Sequence, residues 1–190
     1  MDQTVLMEDM ATHCPDEAET DWIKAAQANP AEFARVYHLY VRRVYQYFYS
    51  RTGQAADAED LTSQTFLEAL EGLRRYHHNG PFAAWLFTIA RRRAIDHLRR
   101  WKPQTVLDEE QSDASTDVLA QVIGKQDTAQ LRALIASLKP TDQELLRLRF
   151  AAGLGFREIA RLLGRSEASI KMRLYRLLTR LQGELESRHE

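Results

Sequence analysis

The chain has 190 residues, 44% hydrophobic and 28% charged, with 26 Lys and Arg against 27 Asp and Glu and one cysteine. That length suits one ordinary domain or two small ones; the lone Cys14 excludes an internal disulfide, and no apolar run approaches the ~20 residues of a membrane span. The opening MDQTVLMEDM lacks the basic start and apolar centre of a secretory signal, so a soluble cytoplasmic protein is expected.

Helical periodicity runs through the chain and no strand alternation persists, so the expected fold class is all-α. In AEFARVYHLYVRRVYQYFYSR, residues 31–51, Phe33, Val36, Tyr37, Tyr40, Val41, Val44, Tyr47 and Phe48 recur at three- and four-residue steps, and Gly53 ends the helix. DAEDLTSQTFLEALEGL follows, with Leu61, Thr65, Ala69 and Leu73 on one face and acidic Asp57, Glu59 and Asp60 in its first turn, where the helix dipole favours them. Asn79-Gly80-Pro81 reads as a turn, and a third helix is expected from Phe82 to Trp101 with Phe82, Trp85, Leu86 and Ile89 buried. Residues 103–120 are polar, acidic and aperiodic, which reads as a linker. A second helical unit then begins at TAQLRALIASL and breaks at Pro140, after which Thr141 to Glu144 has the spacing of a capping box.

The near-neutral total conceals segregated charge. Residues 1–21 and 104–119 carry Asp and Glu with no Lys or Arg, while one basic island holds Arg91–Arg93, Arg99, Arg100 and Lys102. A second holds Arg161, Arg165, Lys171, Arg173, Arg176 and Arg180. Such islands fit a polyanion, and acidic stretches poor in aromatics fit solvated tails and linkers. FREIARLLGRSEASIKMRLYRLL reads as a short helix, a tight turn at Gly164-Arg165, and a longer helix capped by Ser166, the pattern of a helix-turn-helix. Ile170, Leu174, Leu177, Leu178 and Leu181 share the inner face of that longer helix. Its outer face has no acid between Ala168 and Gln182 and presents guanidinium groups able to grip phosphates and read guanine. In IARRRAIDHLRR the three consecutive arginines fan across about 200° of helix surface and cannot share one partner. Asp96 stands at ion-pair spacing from Arg92 and Arg100. Tyr76, Phe82, Trp85, Phe87 and Trp101 surround this segment, and cations interleaved with aromatics suit partly opened nucleic acid; the spacing of Phe82 and Trp85 favours a core role for those two.

DAEDLTSQTFLEAL, FAAWLFTIARRRAIDHLRR and GLGFREIARLLGRSEASIKMRLYRLLTRL resemble, in that order, conserved regions two and four of bacterial sigma factors of the sigma-70 family, extracytoplasmic-function (ECF) type. The resemblance implies an acidic tail at 1–21, a region 2-like domain at 22–102, a linker at 103–125, a region 4-like helix-turn-helix domain at 126–185 and a tail at 186–190. It implies a factor that binds core RNA polymerase and directs promoter-specific initiation. Polymerase would be met by Asp57, Glu59, Asp60, Leu61, Gln64 and Phe66. The minus-ten element would be met by Tyr76, His78, Asn79, Trp85, Arg91, Arg92, Arg93, Asp96, Arg99 and Arg100. The minus-thirty-five element would be met by Arg165, Ser166, Ser169, Lys171, Met172, Arg173, Tyr175 and Arg176. The implied partners are the polymerase beta-prime clamp, promoter DNA and an anti-sigma factor, with no cofactor, metal, small-molecule substrate or membrane insertion. Arg92, Ser63-Gln64 and Met172 depart from residues frequent in the family at those places.

Other functional classes have less behind them. His77-His78 and His13-Cys14 lack partners at metal-ligand spacing, and the chain has neither a phosphate-binding glycine loop nor a nucleophile elbow, so no enzyme is expected. A stand-alone helix-turn-helix regulator would account for residues 127–183 but not for the arginine helix or the acidic helix before it. The tail from Asp2 to Asp21 is expected either to solubilise the chain or to compete with DNA for the same arginines.

Overall fold

The structure, a computed structural model, describes residues 17–100, 119 and 128–187. Its regular elements are all helical among the described residues, and the chain divides into two compact units. The expected linker, apart from residue 119, and residues 1–16 of the expected tail lie outside the described residues, as do Trp101 and Lys102.

The N-terminal unit is built from α1 (Glu17–Ala28), α2 (Phe33–Thr52), α3 (Ala55–Gly72) and α4 (Phe82–Arg100). Helix α2 buries Val36, Tyr40, Val44, Tyr47 and Phe48 along one stripe. The Tyr47 ring meets Phe87 of α4 edge-on with centroids 5.7 Å apart, and Tyr40 meets Phe82 at 5.6 Å. Gly53 ends α2 at φ 69°, a conformation glycine adopts without steric cost, and its amide closes on the Tyr49 carbonyl. On the inner face of α3, Thr62 and Thr65 are buried, and their hydroxyls donate to the Ala58 and Leu61 carbonyls at 2.6 and 2.7 Å, so neither polar group is stranded. Ala83, Ala84, Ala90 and Ala94 keep the packed face of α4 slim enough for close approach.

Helix α1 begins inside the segment read from sequence as an acidic tail. Its Ile23 and Ala26 are buried, and so is Glu19, whose carboxylate accepts the Tyr40 hydroxyl at 2.5 Å. The apolar stripe of α1 is short, and its acidic composition concealed it.

The C-terminal unit contains α5 (Thr128–Ser137), α6 (Pro140–Leu146), a π turn (Arg147–Ala151), α7 (Phe156–Leu163) and α8 (Glu167–Glu186). The capping box expected at Thr141 does not form. Pro140 occupies the first turn of α6, where its missing amide costs nothing, and Lys139 takes the cap position. One half of such a cap occurs at α7 instead, where the Glu158 carboxylate accepts the Gly155 amide at 2.7 Å and glycine has no side chain to return the bond. In the π turn the Ala152 amide reaches back to the Arg147 carbonyl at 2.9 Å, and Leu148, Arg149, Phe150 and Ala151 are buried in succession. Gly164, at φ 63°, makes the tight turn between α7 and α8.

Candidate nucleic-acid and polymerase interfaces

On α8 the sequence pattern translates directly into a surface. Ile170, Leu174, Leu177, Leu178, Leu181 and Leu185 are buried. Ser169, Lys171, Met172, Arg173 and Arg176 are exposed, and Tyr175 is half-buried. The Ser166 hydroxyl accepts the Ser169 amide at 3.2 Å, so this serine caps the helix. Arg165 and Arg176 pair with no carboxylate among the described residues. Lys171 holds its ammonium over the rings of Tyr175 and Phe156 at 5.8 and 6.0 Å. Arg173 behaves differently. Its Nε lies 2.8 Å from Asp142 Oδ1 and its Nη2 donates to Thr141 Oγ1 at 2.8 Å, which ties α8 to the start of α6. Met172, 53% exposed, stands among these cations beside an open groove shared with Lys139, Asp142 and Arg180.

Under this surface Arg149 is buried, donates to the Leu154 carbonyl at 3.0 Å and lies 4.8 Å from the centre of the Phe156 ring. Burial pushes its guanidinium below the ordinary arginine value, and attraction to Tyr175 and Glu158 partly offsets this. Sequence reasoning missed this residue. Its position inside LLRLRF, within an otherwise apolar run, was the available signal.

The arginines of α4 keep other company. Arg92 bonds Glu68 of α3 through Nη2, and Arg93 Nη2 lies 2.8 Å from the other oxygen of Glu68. Arg93 also donates to Gln64 Oε1 at 2.8 Å, and Gln64 Nε2 donates to Asp60 at 2.6 Å. One polar chain therefore runs Asp60, Gln64, Arg93, Glu68, Arg92. The expected i±4 pairing with Asp96 does not form, because Glu68 on the neighbouring helix holds Arg92 instead. His97 Nε2 lies 3.5 Å from Asp57 Oδ2, a second cross-link between α4 and α3. Arg91 is half-buried, and Arg99 and Arg100 are exposed.

Several expected contact residues turn out to be core. Leu61 and Phe66 are 4% exposed, so they support α3 from within. The outward stripe of α3 is Asp60, Gln64 and Leu67, and Leu67, 62% exposed, is the apolar member that sequence reasoning missed. Its i+7 spacing from Asp60 was the usable clue. Tyr76 is also buried. Its ring packs with Phe82 and Trp85 at 5.3 and 5.1 Å, and its hydroxyl donates to the Gly80 carbonyl at 2.8 Å. Burial, with the Glu19 carboxylate second, pushes the Tyr76 phenol up and keeps it a donor. Trp85 is half-buried, whereas His78 and Asn79 are exposed at the tip of the loop between α3 and α4.

Among the described residues no three His, Cys, Asp or Glu side chains converge as metal ligands, and no helix is long and apolar enough to cross a membrane.

Residues 36–102 match Sigma-70 region 2, and residues 128–181 match Sigma-70, region 4. The ECF RNA polymerase sigma factor BldN of Streptomyces coelicolor is 38% identical over 167 residues, covering 84% of this chain and 62% of BldN. The ECF RNA polymerase sigma factor ShbA of Streptomyces griseus is 30% identical over 166 residues, covering 83% of this chain and 87% of ShbA. Among solved structures, the sigma factor RpoE of Bartonella quintana, in complex with the anti-sigma factor NepR, shares the fold with a TM-score of 0.59 at 21% identity, over 82% of this chain and 97% of RpoE. Two helical units in this order, with these family matches, place the chain among the RNA polymerase sigma factors of the extracytoplasmic-function type, sigma-70 family.

Proposed function

We propose that this sigma factor docks on core RNA polymerase through the outward stripe of α3 and addresses a promoter with two separate DNA surfaces. The acidic Glu59 and Asp60 are exposed, and Leu67 offers the apolar centre that a specific protein contact requires. The loop carrying His78 and Asn79, with Trp85 and the exposed end of α4, takes the unpaired non-template strand of the minus-ten element. Arg165, Ser169, Lys171, Met172, Tyr175 and Arg176 read the minus-thirty-five duplex, while Arg173 holds α8 in place. The unpaired cations of α8, on a helix whose opposite face is fully buried, are the observation that carries this reading. The protein acts by binding, in the cytoplasm, and contributes no catalytic group of its own. RpoE of Bartonella quintana was solved with an anti-sigma factor, and a regulator of that class is proposed here by analogy.

Reconstitution tests the division of labour. The purified chain should form a stable complex with core polymerase that Asp60→Ala weakens and Arg176→Ala does not. Arg176→Ala should weaken duplex binding and leave the polymerase complex intact. A stand-alone helix-turn-helix regulator would instead bind duplex DNA tightly alone and ignore the polymerase. Equal loss from both variants in both assays would contradict the separation of surfaces.

A further inference from the structure

Gln27 of α1 reaches the loop between α3 and α4 with both ends of its amide. Its Nε2 donates to the Leu73 carbonyl at 3.0 Å and to the Tyr76 carbonyl at 2.8 Å. Its Oε1 faces His78 Nε2 at 3.1 Å. The two carbonyls can only accept, so they fix which end of the amide is nitrogen and leave the oxygen for a His78 N–H. The Leu73 carbonyl also takes the Tyr76 amide at 3.0 Å, and the Tyr76 hydroxyl closes on Gly80 at 2.8 Å. The loop is thus stapled from below by its own tyrosine and from the side by a residue on another helix. Gln27 lies outside the residues that match region 2, which begin at 36.

We infer that Gln27 is a positioning residue for strand capture: it sets the backbone from Leu73 to Tyr76 and aims His78, so that the loop tip presents Asn79 and His78 to an unpaired base. The inference rests on the proposed role of that loop. Ordering a polar loop before it meets DNA removes a cost otherwise taken from binding. A side chain that satisfies two carbonyls and orients an imidazole supplies that order without touching the nucleic acid. Glycine and asparagine at the tip supply none of it themselves.

The test uses holoenzyme reconstituted from core polymerase and the full chain. The probe is a fork-junction library, duplex upstream and randomised in the unpaired non-template strand. Wild-type protein should enrich a preferred base at one or more positions about tenfold, the ratio one well-placed contact yields. Gln27→Leu, which removes both donors and the acceptor, should cut that ratio below about threefold. Affinity for core polymerase and for fully paired upstream DNA should stay unchanged. Gln27→Lys keeps a donor for the two carbonyls but no acceptor for His78, so it should recover the backbone-dependent part of the preference and fall between Gln27→Leu and the wild type. Wild-type enrichment by Gln27→Leu, or a uniform loss of polymerase and duplex binding with it, would overturn the inference. Asn79→Ala and His78→Ala separate the levels. If they abolish base preference while Gln27→Leu does not, only the positioning role fails; if they too leave it unchanged, the reading of the loop itself falls.

Discussion

The arginines of α4 and those of α8 look alike in sequence and differ in company. Arg92 and Arg93 share Glu68, a carboxylate from the helix assigned to polymerase, whereas Arg165 and Arg176 meet no carboxylate among the described residues. A count of basic residues gives the two helices similar claims on DNA, five arginines on α4 against three arginines and a lysine on α8; the ion pairs divide them. In the N-terminal unit the cationic surface is partly spent on holding α3 to α4, so the proposed capture of the minus-ten strand would draw more on the loop tip and on Trp85 than on these arginines. In the C-terminal unit Arg165, Lys171 and Arg176 meet no carboxylate among the described residues, while Arg173 is given up to Asp142 to fasten the helix and Arg180 pairs with Glu184 one turn on. Arg149 completes the series as an arginine wholly taken into the fold.

This contrast can be broken at four points. The largest effect belongs to the buried member. Arg149→Met strands the Leu154 carbonyl and removes the cation from the Phe156 ring, and should destabilise the C-terminal unit by about 3 kcal/mol in urea unfolding followed by circular dichroism. An unchanged midpoint would mean that the buried guanidinium is only filling space. Next, Arg176→Ala should weaken duplex binding by the free protein about tenfold and lower the slope of log K against log salt by about one. Third, Glu68→Ala releases two guanidinium groups. Non-specific DNA affinity at low salt should rise about fivefold and its salt slope should steepen, the reverse sign of the Arg176 variant. A fall in DNA affinity would show that Glu68 organises the arginines for DNA instead of withholding them. Smallest of all, Arg173→Ala should change the duplex salt slope by much less than Arg176→Ala, because Asp142 already compensates that charge. If the two slopes change equally, Arg173 belongs to the DNA surface.

How far these distinctions could be read from sequence depends on their range along the chain. The apolar stripes of α2, α4 and α8 and the turns at Gly53 and Gly164 are local, repeat at helical spacing, and were legible. The cap at Thr141 was misread because Pro140, its neighbour, takes the helix start. Leu61 and Phe66 follow the inward stripe of α3, and the resemblance to the family outweighed what their spacing implied. The pairing of Arg92 with Glu68 spans 24 positions and that of Arg173 with Asp142 spans 31, separations at which charge pattern alone selects no partner. The same holds for Gln27, whose contacts lie 46 to 51 positions away on a loop with no period of its own. Helix α1 was hidden for a different reason: three of its twelve residues are acidic, so composition spoke for solvent while Ile23, Ala26 and the Tyr40-bound Glu19 went into the core.

Run-off transcription is the most direct test of the whole account. Core polymerase supplemented with this chain should start transcripts at discrete sites preceded by two shared sequence elements. Arg176→Ala should lower output most where the upstream element is weak, and Asp60→Ala should lower output everywhere. Transcripts identical to those of core polymerase alone, with the chain nonetheless bound to duplex DNA, would contradict it.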